Sequence, residues 1–494
     1  MFSGLACKLT SATPASWSGT PTAQSQAKTE TIAAQTAQAF FGDDPTEIPL
    51  PNLPTEINST STPLPTPATD GPWLVFPDRE GGSLHAYDVD AKINLEIELP
   101  QPIYFDDLLT GRSPEGGTLF IRAGSPENFD ELALYRVSLP EGEVTRISPL
   151  LSLELQRQIV NQTSARALET LEAVTCPDSL SWSPSSRYLA FSGALDNPSS
   201  DLYLYDAWGG RVARLNGLYT HNGSPFWAPG SNWLISQEVD LLPSGEGWDA
   251  VNITAIRVPG YDDQNTLYLP PAESQSELFL GWINSQSFLS TSQTTNGLHS
   301  VREVNVESVK SNLIFDVTFK EAAFDPGSKF LAIVMDQASA FEDGLSAGVY
   351  GVQAGSANLQ SIRAGDFSSL TWEPGGMFVA GGLNGTFVFP PEGMGFFLPE
   401  EEQASLSPNG NWLIAWGEGG SNVAGARLYQ PPVGAPLQTL LESSVRAVVW
   451  QPDSLGFFIL SEGKLLHFAF PGLNPEEVAI DFSEDMPAIL AWIK

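Results

Sequence analysis

Apolar residues along this chain come in short runs closed by Pro, Gly, Ser or Asn, and the run that sets the pattern lies between Ser179 and Asn216. Leu180–Trp182 stops at Pro184, whose fixed φ and missing amide donor close a strand, and Ser185-Ser186 makes the turn. Tyr188–Phe191 is apolar at every position, as a strand packed on both faces must be. Asp201–Asp206 then alternates polar with apolar, and Gly209-Gly210 turns the chain into Arg211–Leu215. The predicted unit is one four-stranded antiparallel sheet.

A lone sheet of this kind cannot bury both faces, so it needs copies of itself on either side. The Trp182/Pro184 position recurs as Trp227/Pro229, Phe324/Pro326, Trp372/Pro374, Leu406/Pro408 and Trp450/Pro452, with weaker copies at Arg112/Pro114 and Trp282/Asn284. A second apolar strand follows each, for example Trp233–Ile235, Phe330–Ile333 and Phe457–Ile459. Most spacings are close to the roughly 40–45 residues of a propeller blade. Ala488–Ile493 is a first strand with no blade after it, whereas Trp73–Phe76 is a second strand with no first strand before it. The two are predicted to pair and close the ring, which removes its edges.

The fold class is therefore all-β, a single closed β-propeller of four-stranded antiparallel blades over residues 71–494. Counting repeats gives nine. Propellers typically have about four to eight blades, so eight is the preferred count and nine the alternative, with the short copy at 367–400 as the doubtful one. The spacing swells between Arg112 and Trp182, where residues from about 150 to 175 lack Gly and Pro and carry Leu155, Ile159, Val160, Leu168, Leu171 and Val174 at helical intervals. One or two amphipathic helices are expected there, broken near Thr163-Ser164.

SWSPSSRYLAF followed by SDLYLYDAWGGRVARLN resembles the TolB-like, or WD-repeat-like, bacterial propeller repeat. That pattern is a Trp-Ser-Pro-Asp-Gly turn, a Leu-Ala-Phe strand and an Ile-Tyr-X-X-Asp strand before a glycine turn. Here its Asp-Gly is replaced by pairs such as Ser185-Ser186, Gly230-Ser231 and Asp453-Ser454. The resemblance implies a scaffold that hosts many functions, since fold does not imply function.

Residues 1–70 read differently. Met1–Cys7 ends in a cysteine preceded by small residues, which resembles the end of a lipoprotein signal and makes Cys7 the candidate lipidation site. Residues 8–70, rich in Thr, Ala, Ser, Gln and Pro, are expected to form an extended tether, with a brief helix at Ala33–Phe41. Together they point to an extracytoplasmic, envelope-anchored lipoprotein that meets the membrane through a lipid anchor. With 23 basic against 58 acidic residues the formal charge is −35, which argues against nucleic acid and anionic membrane surfaces as partners.

Candidate chemistry is sparse. With only Cys7 and Cys176 there is no disulfide framework or zinc cluster, and Cys176 is expected to be buried at the start of the third blade. Gly344-Leu345-Ser346-Ala347-Gly348 matches the nucleophile-elbow pattern, but β-rich sequence rather than a helix follows the serine. His85, His221, His299 and His467 fall in different blades without ligand spacing, and Asp88 and Asp90 fail the calcium-loop pattern at Lys92-Ile93. No catalytic, cofactor or metal residues are assigned. The expectation is a monomeric, non-enzymatic propeller that binds a protein, peptide or glycan through one face. The alternative is a glycan- or peptide-active hydrolase or lyase with carboxylates gathered at the channel mouth.

Overall fold

The computed structural model describes residues 71–493 apart from short stretches, the longest being 242–247, 259–265, 269–275 and 418–424. Nine antiparallel sheets follow one another along the chain, eight of four strands and one of three. The larger of the two blade counts is the one that forms. The short copy at 367–400 is a complete blade, Phe367–Glu373, Met377–Gly382, Gly385–Phe389 and Phe396–Leu398. Blade 1 takes its inner strand from the far end of the chain: Ala491–Ile493 pairs antiparallel with Trp73–Pro77, Trp73 opposite Ile493 and Val75 opposite Ala491.

Each blade is apolar on both faces because consecutive side chains serve different neighbours. In Trp73–Pro77, Trp73 and Val75 enter a cluster shared with blade 2, while Leu74 and Phe76 join Phe458, Leu460 and Trp492 at the seam with blade 9. Among the described residues there are nine such apolar clusters, each between two consecutive blades. That sharing makes all six residues of Tyr188–Gly193 buried, and equally all six of Asp201–Asp206, where polar and apolar residues alternate in sequence. The polar members of that strand have partners, as in Arg187 Nη2 donating to Asp206 Oδ2 at 3.0 Å.

The repeated tryptophan has a second task beyond packing. Trp182 Nε1 donates to Gly111 O of blade 2 at 3.0 Å, Trp227 to Ser181 O of blade 3 at 3.0 Å, Trp282 to Phe226 O of blade 4 at 3.1 Å, and Trp450 to Ser405 O of blade 8 at 3.2 Å. Each acceptor is the carbonyl just before the equivalent repeat position one blade back. Arg112 replaces the tryptophan in blade 2 and reaches Trp492 O of blade 1. The turn after the repeat position needs left-handed backbone, adopted by Ser186, Ser231 and Ser454 at φ near 60° and by Gly376 and Gly410 in blades 7 and 8. Ser231 and Ser454 also accept from the turn one blade back, at Ser185 N and Asn409 N.

Antiparallel topology sorts the connections onto two faces. One face carries the tight turns between first and second and between third and outer strands. The chain enters there at Gly71, because Trp73 begins a second strand. The opposite face carries the links between second and third strands and from one blade to the next. It includes helices α2 (Leu153–Val160) and α3 (Ala165–Thr175), capped by the Ser152 and Ser164 hydroxyls. Cys176 follows α3 and is half-buried rather than buried. Residues 1–70, with Cys7 and Ala33–Phe41, lie outside the described residues.

Candidate functional site

Blade 2 departs from the repeat at its inner edge. Among the described residues its inner-strand path forms isolated β-bridges with the neighbouring strand Thr118–Ser125 at Ile103, opposite Ala123, and at Arg112, opposite Leu119. Between these points the chain forms one helical turn, α1 (Asp107–Thr110). Gly111 ends it so close to the next strand that a Cβ there would stand 1.7 Å from Phe120 O. The turn brings two adjacent carboxylates, Asp106 and Asp107, to the inner edge beside blade 3.

Asp107 is fully buried and so is its partner Arg122, at 0 % and 1 % exposure. The Arg122 guanidinium donates to both Asp107 oxygens, with Nη2 to Oδ1 at 2.5 Å and Nε to Oδ2 at 2.9 Å. Its Nη1 donates to Val174 O at 2.6 Å, Cys176 O at 2.9 Å and Ser179 Oγ at 2.6 Å. Tyr104 lies beneath the guanidinium, 5.6 Å from ring centroid to Cζ. One side chain thus fastens the helical turn of blade 2, the end of α3 and the start of blade 3.

Asp106 and Asp178 flank this clasp and stay in contact with solvent. The surrounding protein raises both carboxyl pKa values by desolvation first, then by a neighbouring carboxylate: Asp107 acts on Asp106, and Asp106 on Asp178. Topology brings further polar residues to the leading ends of the inner strands on the same face: His221 in blade 4, Glu277 in blade 5, Glu321 in blade 6 and Arg446 in blade 9. His221 and Glu277 turn into the seams and are almost fully buried. Glu277 accepts from Ser290 Oγ at 2.7 Å, and desolvation raises its pKa. Asp106 and Asp178 keep solvent contact with their carboxyls raised from the ordinary value, whereas Glu277 is sealed from solvent.

α2 and α3 lie beside this mouth. Ser152 N donates to Ala194 O at 2.7 Å, Thr170 Oγ1 bonds Pro198 O, and Arg166 reaches Asp240 of blade 4 at 3.5 Å. Leu155, Ile159, Ala167 and Val174 pack down onto blades 2 and 3. Leu153 and Val160, two turns apart on one side of α2, and Leu168 on α3 stay exposed, the first two at 68 % and 63 %. These residues include the helical intervals noted in the sequence. Asp106, Asp107 and Arg122 were not singled out there, and the one signal for them was the weak repeat copy at Arg112 with an Asp-Asp pair just ahead of it.

The other sequence candidates are scattered. The four histidines sit in blades 1, 4, 5 and 9. His85, His299 and His467 stack on Phe76, Phe319 and Phe458, and His221 Nδ1 accepts from Ser200 N at 3.3 Å. Burial, followed by nearby Arg166, lowers the His221 pKa to about 3. Burial alone lowers that of His299 to about 4. The strand Gly348–Gln353 follows Ser346 directly, and the Tyr350 hydroxyl brackets the serine's backbone, accepting from its N–H and donating to its carbonyl. That is not an elbow. Asp88 ends the strand Ser83–Asp88 fully buried and accepts from Ala91 N at 2.7 Å. Among the described residues no group of three or more His, Cys, Asp or Glu side chains is placed to hold a metal, and no helix is long and apolar enough to cross a membrane.

No family model matches the chain. No curated protein matches it in sequence. Solved structures do share its shape. A eukaryotic initiation factor is similar over 86 % of this chain and 98 % of its own, with a TM-score of 0.56 at 10 % identity. Porphyromonas gingivalis dipeptidyl peptidase 4 (TM-score 0.45, 11 % identity, 78 % of this chain, 64 % of that one) is a more distant match. So is the dihydro-heme d1 dehydrogenase NirN, at TM-score 0.44, 11 % identity, 85 % of this chain and 76 % of that one. At such identities the likeness concerns the fold alone, and the two weaker matches bear no argument about activity.

Proposed function

We propose that this propeller is a monomeric, non-enzymatic binding scaffold that works outside the cytoplasm, anchored through Cys7, and recognises a protein, peptide or glycan through the face bearing α2 and α3. The observation that carries the reading is the exposed apolar set Leu153, Val160 and Leu168, which lies on the face opposite the point where the chain enters the ring. Large apolar residues held exposed on a built insertion favour a contact surface over simple rim capping.

The test compares capture from the native envelope by the wild-type ring with capture by Leu153→Ser/Val160→Ser/Leu168→Ser. A partner retained by the first and lost by the second is expected. Trp208→Ser, at a 72 % exposed position on the opposite face, serves as the control and should keep the partner. Retention of the partner by the triple variant refutes the reading. Acyl labelling that disappears in Cys7→Ser tests the anchor.

A hydrolase or lyase centred on Asp106 and Asp178 is the second reading, and the raised pKa values of these two carboxyls favour it. Turnover of a glycan or peptide that is abolished by Asp106→Asn with Asp178→Asn, while the melting temperature holds, would establish it over the scaffold.

A further inference from the structure

The turn face carries a groove of about 600 Å³ between the outer parts of blades 6 and 7. The outer strand of blade 7 beside it, Phe396–Leu398, has three residues. Phe330 and Phe387 line it as aromatic surface, and Gln353, Asn358, Gln360, Ser356 and Ser361 as polar surface. Two glycines keep it open: a Cβ at Gly351 would lie 2.1 Å from Phe330, and one at Gly395 would lie 2.6 Å from Phe387.

Among the described lining residues Arg363 is the one charged group. Its guanidinium carbon stands 5.5 Å from the Phe387 ring centroid and 5.7 Å from that of Phe397. Stacking of this kind holds the guanidinium plane and leaves its N–H edge for an in-plane acceptor. Among the described residues no carboxylate pairs with it, although the chain has 58 acidic side chains against 23 basic ones. A cation aimed into a groove of amides, hydroxyls and aromatic rings, on a chain of formal charge −35, is complementary to one kind of ligand.

We propose that the groove between blades 6 and 7 binds a carboxylate-bearing saccharide, with its acid group on Arg363, its hydroxyls on Asn358, Gln360 and Ser361, and its C–H face on Phe330 and Phe387. The site is on the face opposite α2 and α3 and does not depend on the scaffold reading. Isothermal titration of the full chain with a uronic-acid trisaccharide should show saturable binding, and the matching neutral trisaccharide should bind at least about tenfold more weakly, as expected for loss of one charge-assisted hydrogen bond.

Arg363→Met should lose the preference for the acid form, Arg363→Lys should recover part of it, and both should melt within a few degrees of the wild type because Arg363 is exposed. Asn358→Ala touches neither ring and should weaken both sugars alike by a few-fold, which separates ligand contact from loosening of the seam. Equal binding of acid and neutral sugars overturns the proposal, as does binding of neither. An N-acetyl amino-acid carboxylate that binds as tightly as the uronic acid would keep the anion and overturn the saccharide.

Discussion

Removing one side of the Arg122–Asp107 clasp should be among the most damaging single changes available in this ring. Arg122→Met leaves the Asp107 carboxylate in an interior site with the backbone N–H of residue 122, at 2.6 Å, as its remaining donor among the described residues, and strips Val174 O, Cys176 O and Ser179 Oγ of the guanidinium. Breaking a buried pair from one side costs about 3–5 kcal/mol, a large share of the roughly 5–15 kcal/mol that holds a domain folded. Asp107→Leu strands the guanidinium instead and should cost a similar amount. Once one partner is gone the second substitution has little left to break, so Arg122→Met/Asp107→Leu should be no worse than either single change. That corresponds to a coupling of about 3 kcal/mol in the double-mutant cycle. Urea titrations followed by tryptophan fluorescence give the four midpoints. Single changes that each cost under about 1 kcal/mol, or costs that simply add, would show that the pair does not hold blades 2 and 3 together.

Deleting residues 490–494 removes Leu490, Ala491, Trp492 and Ile493, all buried, and the inner partner of Trp73–Pro77. At about 1.5–3 kcal/mol for each large side chain this rivals the whole stability, so an unchanged melting temperature would mean the ring closes elsewhere. Trp227→Phe should cost about 1 kcal/mol more than Trp372→Phe, because the first loses its bond to Ser181 O whereas Trp372 Nε1 is buried without a partner among the described residues. Equal unfolding midpoints for the two variants would remove the latch from the account. With folded pKa values of about 3 for His221 and about 4 for His299, the unfolded chain binds more protons between roughly pH 6.5 and 4. Their contribution is complete above about pH 6.5 and shrinks as the pH falls, by about 1 kcal/mol per unit for each. Between pH 7 and 5, His221→Gln should therefore lose less stability than the wild type, and an equal loss would contradict the burial argument.

Sequence alone determined the blade and the closure of the ring. The Pro-terminated first strand, the turn after it and the apolar run that follows are local properties, so Tyr188–Phe191 and Trp233–Ile235 were legible from their own residues, while the structure extends these strands to Gly193 and Leu241. The orphaned strands at Trp73 and Trp492 pointed to each other because an unpaired edge must be satisfied somewhere. The partners across the seams were not legible, since a blade's face has no meaning until its neighbours stand beside it. Asp201–Asp206 showed polar alternation in sequence, and only the adjoining blades made every one of its residues interior. The indole bonds to Gly111, Ser181, Phe226 and Ser405 follow from the blade-to-blade offset, which no single repeat contains. The inner edge of blade 2 lay further from reach. Its helical turn breaks the repeat, and Arg122 meets Ser179 across 57 positions of chain, so the tertiary structure decided which carboxylate is buried beside a guanidinium and which two remain at the mouth.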